Sequence, residues 1–236
     1  MSGATPRFGG NMIEILREDC AAARAQLGRP IVLGISGSQG SGKSTLSRAL
    51  AEVLTRDGLR VAVVSIDDLY LPKADRVRLG RDVHPLLATR GPPGTHDAAL
   101  GRTTIAALTN AASDQETPIP RFDKSRDDRA PREAWDNFRG RADVVIFEGW
   151  CIGARPETEA ALAAPVNELE RNEDADGRWR GYVNEQLSAR YGDLFALIDR
   201  LVMLRAPSFD VVFAWRRQQA RELEAKLGAA ARGSQI

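Results

Sequence analysis

Apolar residues fall into two spacings along this chain, and each predicts a different element. Apolar runs within 31–35 (Ile-Val-Leu-Gly-Ile), 61–66, 143–149 and 201–204 predict strands, the first two buried on both faces and the third bearing a carboxylate at its C-terminal end. Between them apolar residues recur at helical spacing. Ile13, Leu16, Cys20, Ala23 and Leu27 predict a helix over 11–27, with Asn11 as its cap and Gly28 as its stop. Leu46, Leu50, Val53 and Leu54 predict a second helix over 43–56, with Gly58 beyond it. Strand, helix and strand at this spacing make a βαβ unit with a right-handed crossover. Asp97 is placed to cap a helix reaching about residue 110; 157–164, 179–198 and a segment from Ser208 also read as helical. Pro92-Pro93-Gly94 marks a sharp turn, 117–132 reads as a charged loop, and 1–10 as a loose terminus. The fold class is α/β, a P-loop NTPase-type parallel sheet flanked by helices.

Composition narrows the function classes. A chain of 236 residues with 43% hydrophobic and 28% charged residues can bury one sizeable core. Lys+Arg 33 against Asp+Glu 32 leaves no global field, so nothing in the balance points to nucleic acid or a membrane surface. No apolar stretch approaches the ~20 residues that span a bilayer, and the N-terminus lacks a basic-then-apolar signal pattern, so the expected location is cytoplasmic. Cys20 and Cys151 are too few for a disulfide framework and read as small apolar fillers. With no internal repeat and no second core, one domain over 1–236 is expected, elaborated by inserts at 71–140 and 151–198 and a helical lid at 208–228. The sequence leaves the oligomeric state open.

Candidate chemistry begins where the first strand meets the second helix. Gly37-Ser38-Gln39-Gly40-Ser41-Gly42-Lys43-Ser44 fits Gly-x-x-x-x-Gly-Lys-[Ser/Thr], and Thr45 follows it. Backbone N–H groups of such a loop converge on phosphate oxygens at a helix N-terminus, Lys43 neutralises the outer phosphates, and the Ser44 hydroxyl can ligate Mg²⁺. The segment implies ATP and Mg²⁺. In open parallel sheets ligands sit outside the carboxyl ends of the strands. Asp67-Asp68 and Glu148 are delivered to that edge by the second and third strands. Glu148 is where a Mg²⁺-linked carboxylate is expected, the plainer alternative being a loop cap. Asp67 is the better placed carboxylate to accept a hydroxyl hydrogen during phosphoryl transfer, although Asp68 could take that role.

Two further loops have the composition to bind a small polar acid. Arg90 with Thr95, His96 and Asp97 forms one, and Arg121, Asp123 and Lys124 the other, with Arg or Lys suited to a carboxylate and Asp to hydroxyls. Two solvated surface loops would look the same. The last helix carries Arg216, Arg217 and Arg221, which on a closing element would stabilise transferred charge, or simply face solvent.

Together these landmarks resemble the D-glycerate 3-kinase family, a branch of the phosphoribulokinase/uridine kinase-like P-loop kinases. The matching strings are Gly-Ser-Gln-Gly-Ser-Gly-Lys-Ser-Thr (37–45), Ser-Ile-Asp-Asp-Leu-Tyr-Leu (65–71), Arg-Gly-Pro-Pro-Gly-Thr-His-Asp (90–97), Pro-Arg-Phe-Asp-Lys-Ser (120–125), Asp-Arg-Ala (128–130), Phe-Glu-Gly-Trp (147–150) and Ala-Trp-Arg-Arg-Gln (214–218). The phosphate loop is common to many NTPases, whereas the Gly-Thr-His-Asp and Phe-Asp-Lys-Ser strings are particular to the family. The resemblance implies Lys43, Asp67, Glu148 and Arg216 as catalytic residues and Ser44, Asp67 and Glu148 as the metal set. It implies an acceptor pocket drawn from Asp68, Tyr70, 90–97 and 121–129, Arg129 included, and the reaction ATP + D-glycerate → ADP + 3-phosphoglycerate. One departure is that the family continues past the lid with a segment rich in Tyr and Pro. This chain stops at Ala-Ala-Ala-Arg-Gly-Ser-Gln-Ile, and no fifth strand can be located, so a shortened or divergent end is expected. The rival readings are a related kinase acting on a nucleoside, pantothenate or a sugar phosphate, and a nucleotide-binding regulatory protein without a small acceptor.

Overall fold

A computed structural model describes residues 10–208, 210–212 and 217. Its elements follow the apolar pattern closely at the start. Helix α1 (Gly10–Leu27) ends at Gly28, whose φ of 64° suits glycine, and strand β1 (Ile31–Gly37) is buried along its whole length. Asn11, expected to cap α1, lies inside its first turn. Helix α2 (Lys43–Arg56) and strand β2 (Val61–Ser65) complete the first βαβ unit. The chain then tightens into a 3₁₀ turn (Ile66–Leu69), so the strand expected to reach residue 66 stops one residue short.

Next come α3 (Lys73–Asp82), α4 (Ala98–Asn110), and the short strands β3 (Glu116–Ile119), β4 (Phe122–Asp123), β5 (Asp128–Arg129) and β6 (Asp136–Arg139). Strand β7 (Val144–Gly149) is wholly buried. After it lie α5 (Glu159–Leu162), α6 (Glu168–Glu173), α7 (Arg178–Gln186), α8 (Gly192–Phe195) and β8 (Arg200–Leu204).

The main sheet has the order β2-β7-β1-β8, and all its pairings are parallel. Strands β1 and β7 are central and therefore apolar on both faces, which is why they read as unbroken runs. Their alternate side chains feed two cores. Ile31, Leu33, Ile35, Val144 and Ile146 pack against Leu16, Cys20, Leu46 and Leu50 of α1 and α2. Val32, Val145 and Phe147 turn to the other face, against Ile105 and Leu108 of α4, Tyr191, and Leu194 of α8. The result is a helix–sheet–helix sandwich.

Strand β2 pairs with β7, so Asp67 reaches the site across one intervening strand from the phosphate loop. Three expectations need correction. The stretch read as a loop at 117–132 contains β3, β4 and β5, whose two- to four-residue lengths are too short to show a period of two. The helix expected at 157–164 narrows to one turn. The helix expected over 179–198 runs unbroken over 178–195, but it carries a π-turn at Leu187–Tyr191 and ends three residues short; Tyr191 packs into the core. Among the described residues the main sheet has four strands.

Candidate active site

Strand register aligns the ends that carry chemistry. Ser65 and Ile35 both lie opposite Glu148, and Ser36 lies opposite Gly149, so β1, β2 and β7 end on one rim. From that rim β1 runs into the phosphate loop. Gly40 (φ 81°) and Gly42 (φ 87°) adopt left-handed conformations there, which glycine takes without a Cβ clash. Gly42 stands just before α2, so the loop's N–H groups lead directly into the helix N-terminus.

Glu148 is buried beneath this loop. Its Oε1 accepts a hydrogen bond from the Ser44 hydroxyl at 3.1 Å, while Oε2 has no partner among the described residues. Burial raises its pKa above the ordinary carboxylate value, with the Lys43 charge and bonds from the Ser65 and Ser44 hydroxyls opposing that shift. Among the described residues no cluster of three or more His, Cys, Asp or Glu could hold an ion by itself. A hydroxyl, a buried carboxylate with an unpartnered oxygen and Asp67 nearby are hard oxygen donors. They fit Mg²⁺, which takes one or two carboxylates and completes its shell with phosphates and water.

Asp67 sits in the 3₁₀ turn after β2, where the Ser65 hydroxyl accepts from its backbone N–H at 3.3 Å. Its carboxylate is half-buried and accepts from Lys124 Nζ at 2.8 Å. Asp68, one residue on, is committed elsewhere: Oδ1 accepts from Phe122 N and Oδ2 from Arg121 Nη1, both at 3.1 Å. Burial raises the Asp68 pKa, the Phe122 N–H and the cationic neighbours opposing.

A cleft of about 780 Å³ opens beside the phosphate loop. Ser38, Gln39, Asp67, Tyr70, Arg90 and Lys124 line it, together with Asp127 and Trp150. Of the residues expected to contact an acceptor, Tyr70, Arg90 and Lys124 are thus brought together with Asp67. The others form the frame behind them. Asp97 caps α4 through Leu100 N at 2.9 Å and receives Arg129 Nη2 at 3.1 Å, and the same nitrogen donates to the Tyr70 carbonyl at 3.2 Å. Thr95 is fully buried and its hydroxyl donates to the Pro92 carbonyl at 2.7 Å. Asp123 fastens its own hairpin turn, accepting from Ser125 N and Oγ at 2.9 and 2.6 Å. Arg121 bridges Asp68 and Asp136.

His96 lies inside the core. Its ring stacks on Tyr70 at 4.2 Å between centroids, and its Nδ1 is 2.7 Å from the Tyr191 hydroxyl. That hydroxyl already accepts from Gly94 N (2.9 Å) and His96 N (3.3 Å), so its own proton goes to Nδ1 and the imidazole carries its hydrogen on Nε2. Burial lowers the His96 pKa to about 3, against a small opposing effect of Asp67, so the ring is neutral. Cys151, the buried thiol next along from Trp150, is pushed up to about 12 by the same cause. Arg216 and Arg221 lie outside the described residues, and Arg217, which is described, is exposed.

As single candidates, sequence reasoning missed Trp150, Arg76 and Tyr191, while Asp127 falls within the 121–129 stretch expected in the acceptor pocket. Trp150 carried a usable signal, because it follows a strand end that already bears Glu148. The other two carried none: an arginine in a polar helix and a tyrosine in an expected continuous helix look ordinary.

Similar proteins give the site its context. A family model described as methylmalonyl Co-A mutase-associated GTPase MeaB matches residues 12–72, a stretch that holds the phosphate loop and ends before the loops of Arg90 and Lys124. The uncharacterized kinase mug58 of Schizosaccharomyces pombe is 38% identical over 208 residues, covering 85% of this chain and 73% of that protein. The chloroplastic D-glycerate 3-kinase of Arabidopsis thaliana is 32% identical over 197 residues, covering 80% of this chain and 41% of the longer plant protein. Among solved structures, D-glycerate 3-kinase from Cryptococcus neoformans var. grubii superposes with a TM-score of 0.76 at 30% identity, covering 93% of this chain and 82% of that one. Relatives at this identity and coverage, on this fold, make the protein an ATP-dependent small-molecule kinase of the P-loop class. More narrowly, the chain belongs to the D-glycerate 3-kinase family. No described helix is long and apolar enough to cross a membrane.

Proposed function

We propose that the protein transfers the γ-phosphoryl group of ATP to a hydroxyl of a small hydroxy acid, D-glycerate, giving 3-phosphoglycerate and ADP. The observation that carries this reading is one cleft lined by Ser38 and Gln39 of the phosphate loop, by Asp67 with Lys124 2.8 Å from its carboxylate, and by Arg90. The cleft is lined by two cations and two carboxylates, with a third cation, Arg76, buried behind it. That balance suits an acceptor with a single carboxylate better than a phosphate dianion or a neutral nucleoside. Two D-glycerate 3-kinases among the relatives point the same way.

In this reading residues 37–45 cradle the triphosphate, with Lys43 against its outer oxygens. Ser44 and Glu148, with Asp67 at the rim, would hold Mg²⁺, which would supply positive charge against the phosphates. Arg90 and Lys124 seat the acceptor carboxylate, and Tyr70 bounds the pocket. Asp67 accepts the proton of the acceptor hydroxyl as its oxygen bonds to the γ-phosphorus and the bond to the β,γ-bridging oxygen breaks. Holding the two substrates in this geometry supplies much of the rate. Residues 71–140 serve as the acceptor-binding insert, 151–198 as its helical support and 208–228, with Arg216, as the lid.

Mass spectrometry of a reaction supplied with ATP, Mg²⁺, D-glycerate, L-glycerate, pantothenate and uridine tests the proposal. Phosphoglycerate is the expected product. Phosphorylated uridine or pantothenate without phosphoglycerate would transfer the reading to a related kinase.

A further inference from the structure

We infer that Arg76 and Asp127 are positioning residues that hold the Arg90 guanidinium at the acceptor wall, so that the fully buried Arg76 acts on the grip from behind the cleft. The inference rests on the acceptor site proposed above and deepens it.

Arg76 behaves unlike its neighbours on α3. Arg78 and Arg81 are largely exposed and pair locally with Asp75 and Asp82, whereas Arg76 is 0% exposed. Its donors reach three separate stretches of chain. Nε donates to the Leu71 carbonyl (3.1 Å), Nη1 to the Ala88 carbonyl (3.4 Å), and Nη2 to the Asp127 carbonyl (2.6 Å) with the Asp127 carboxylate at 3.1 Å. These stretches adjoin the cleft residues Tyr70, Arg90 and Lys124. A buried cation is rarely retained for stability alone, since apolar packing would serve as well.

Asp127 is held in left-handed backbone, uncommon for a residue with a side chain though easier for aspartate than for most. Its φ of 55° makes it the one non-glycine residue with positive φ among those described. Both its carbonyl and its carboxylate are gripped by Arg76, and its Oδ1 also forms an ion pair with Arg90, 2.8 Å from Nε. One carboxylate oxygen therefore joins a buried guanidinium to one in the cleft. Phe122 repeats the link, with Arg76 at 5.7 Å and Arg90 at 5.2 Å from its ring centre.

Two consequences follow for Arg90. The ion pair at Nε holds the guanidinium beside Asp127 at the cleft wall, within reach of a carboxylate that a guanidinium fork can grip. Charge is the second consequence. Asp127 alone would cancel Arg90, but Arg76 balances Asp127 from behind and leaves the trio one positive charge toward the cleft.

A double-mutant cycle on the full chain tests the relay. Arg90→Ala is expected to raise the KM for D-glycerate about a hundredfold. Asp127→Gly, which suits the positive φ, is expected to raise it about tenfold, with kcat and the KM for ATP within about twofold. In the Arg90→Ala background Asp127→Gly should add nothing further, because it acts through Arg90. Multiplying effects would overturn the relay alone. An unchanged acceptor KM in Arg90→Ala would overturn the relay together with the placement of the acceptor at this wall. Should Asp127→Gly fail to fold, Asp127→Asn takes its place in the cycle, with a roughly threefold effect and the same absence of a further loss expected.

Discussion

Asp67 and Glu148 lie one strand apart on the same rim, yet their surroundings fit them for different work. Asp67 is half-buried and paired with Lys124, whereas Glu148 is buried with one oxygen unpartnered. A carboxylate that meets the acceptor proton mainly in the transition state should matter for turnover and little for nucleotide affinity. Asp67→Asn is therefore expected to lower kcat by roughly 10²–10⁴-fold, with the ATP Kd unchanged in a titration. Glu148 also carries a stability cost. Because its folded pKa is raised, the stability tied to it is present below the ordinary carboxylate pKa and lost as pH rises through the folded value. Glu148→Gln should thus be more stable than the native chain at neutral pH, the gap closing on acidification, while activity falls by at least roughly a hundredfold. Thermal melts from pH 7 to 4 beside an activity assay check both halves. A less stable, fully active variant would contradict them.

Among the elements, the 3₁₀ turn after β2 and the end of β7 depend on each other. A Cβ built on Gly149 would lie 2.3 Å from Ile66 Cγ2, so the strand end and the turn bearing Asp67 pack at a distance that only glycine permits. Gly149→Ala is expected to cost about 1–3 kcal/mol by overpacking, read as a lower midpoint in urea. It should also depress kcat, because Ile66 cannot move without its neighbour Asp67. The long helices and central strands were legible because each shows a period, 3.6 residues or an unbroken apolar run, over enough chain to be seen. Strands β4 and β5 have two residues each and no period to read. The π-turn at Leu187–Tyr191 is invisible for another reason: the partners of Tyr191 at its end, Gly94 and His96, lie almost a hundred residues away in sequence.

At the scale of the molecule, a neutral imidazole buried between Tyr70 and Tyr191 ties folding to pH. His96 titrates at about 3 when folded, below the ordinary 6.5, so the unfolded chain takes up a proton between these values and the folded chain does not. Its contribution is complete above pH 6.5 and is lost as pH falls toward 3, at up to about 1.4 kcal/mol per pH unit. Melting temperatures of the native chain and of His96→Gln should converge across that window, and parallel curves would show that the histidine is not buried neutral.

The sequence by itself determined what depends on neighbours along the chain. The phosphate loop follows from glycines at fixed offsets between a strand and a helix, and the parallel sheet from apolar runs separated by amphipathic helices. The position rule for strand ends was enough to bring out Asp67 and Glu148 as candidates. Only the tertiary structure decided how the polar loops divide. Residues 90–97 and 121–129 look alike in composition, yet burial and pairing set Arg90 and Lys124 in the cleft and turn Thr95, His96, Asp97, Asp123 and Arg129 into its frame. Which partner a charged side chain finds is settled by distances between segments far apart in sequence, and that information exists only once the chain has packed.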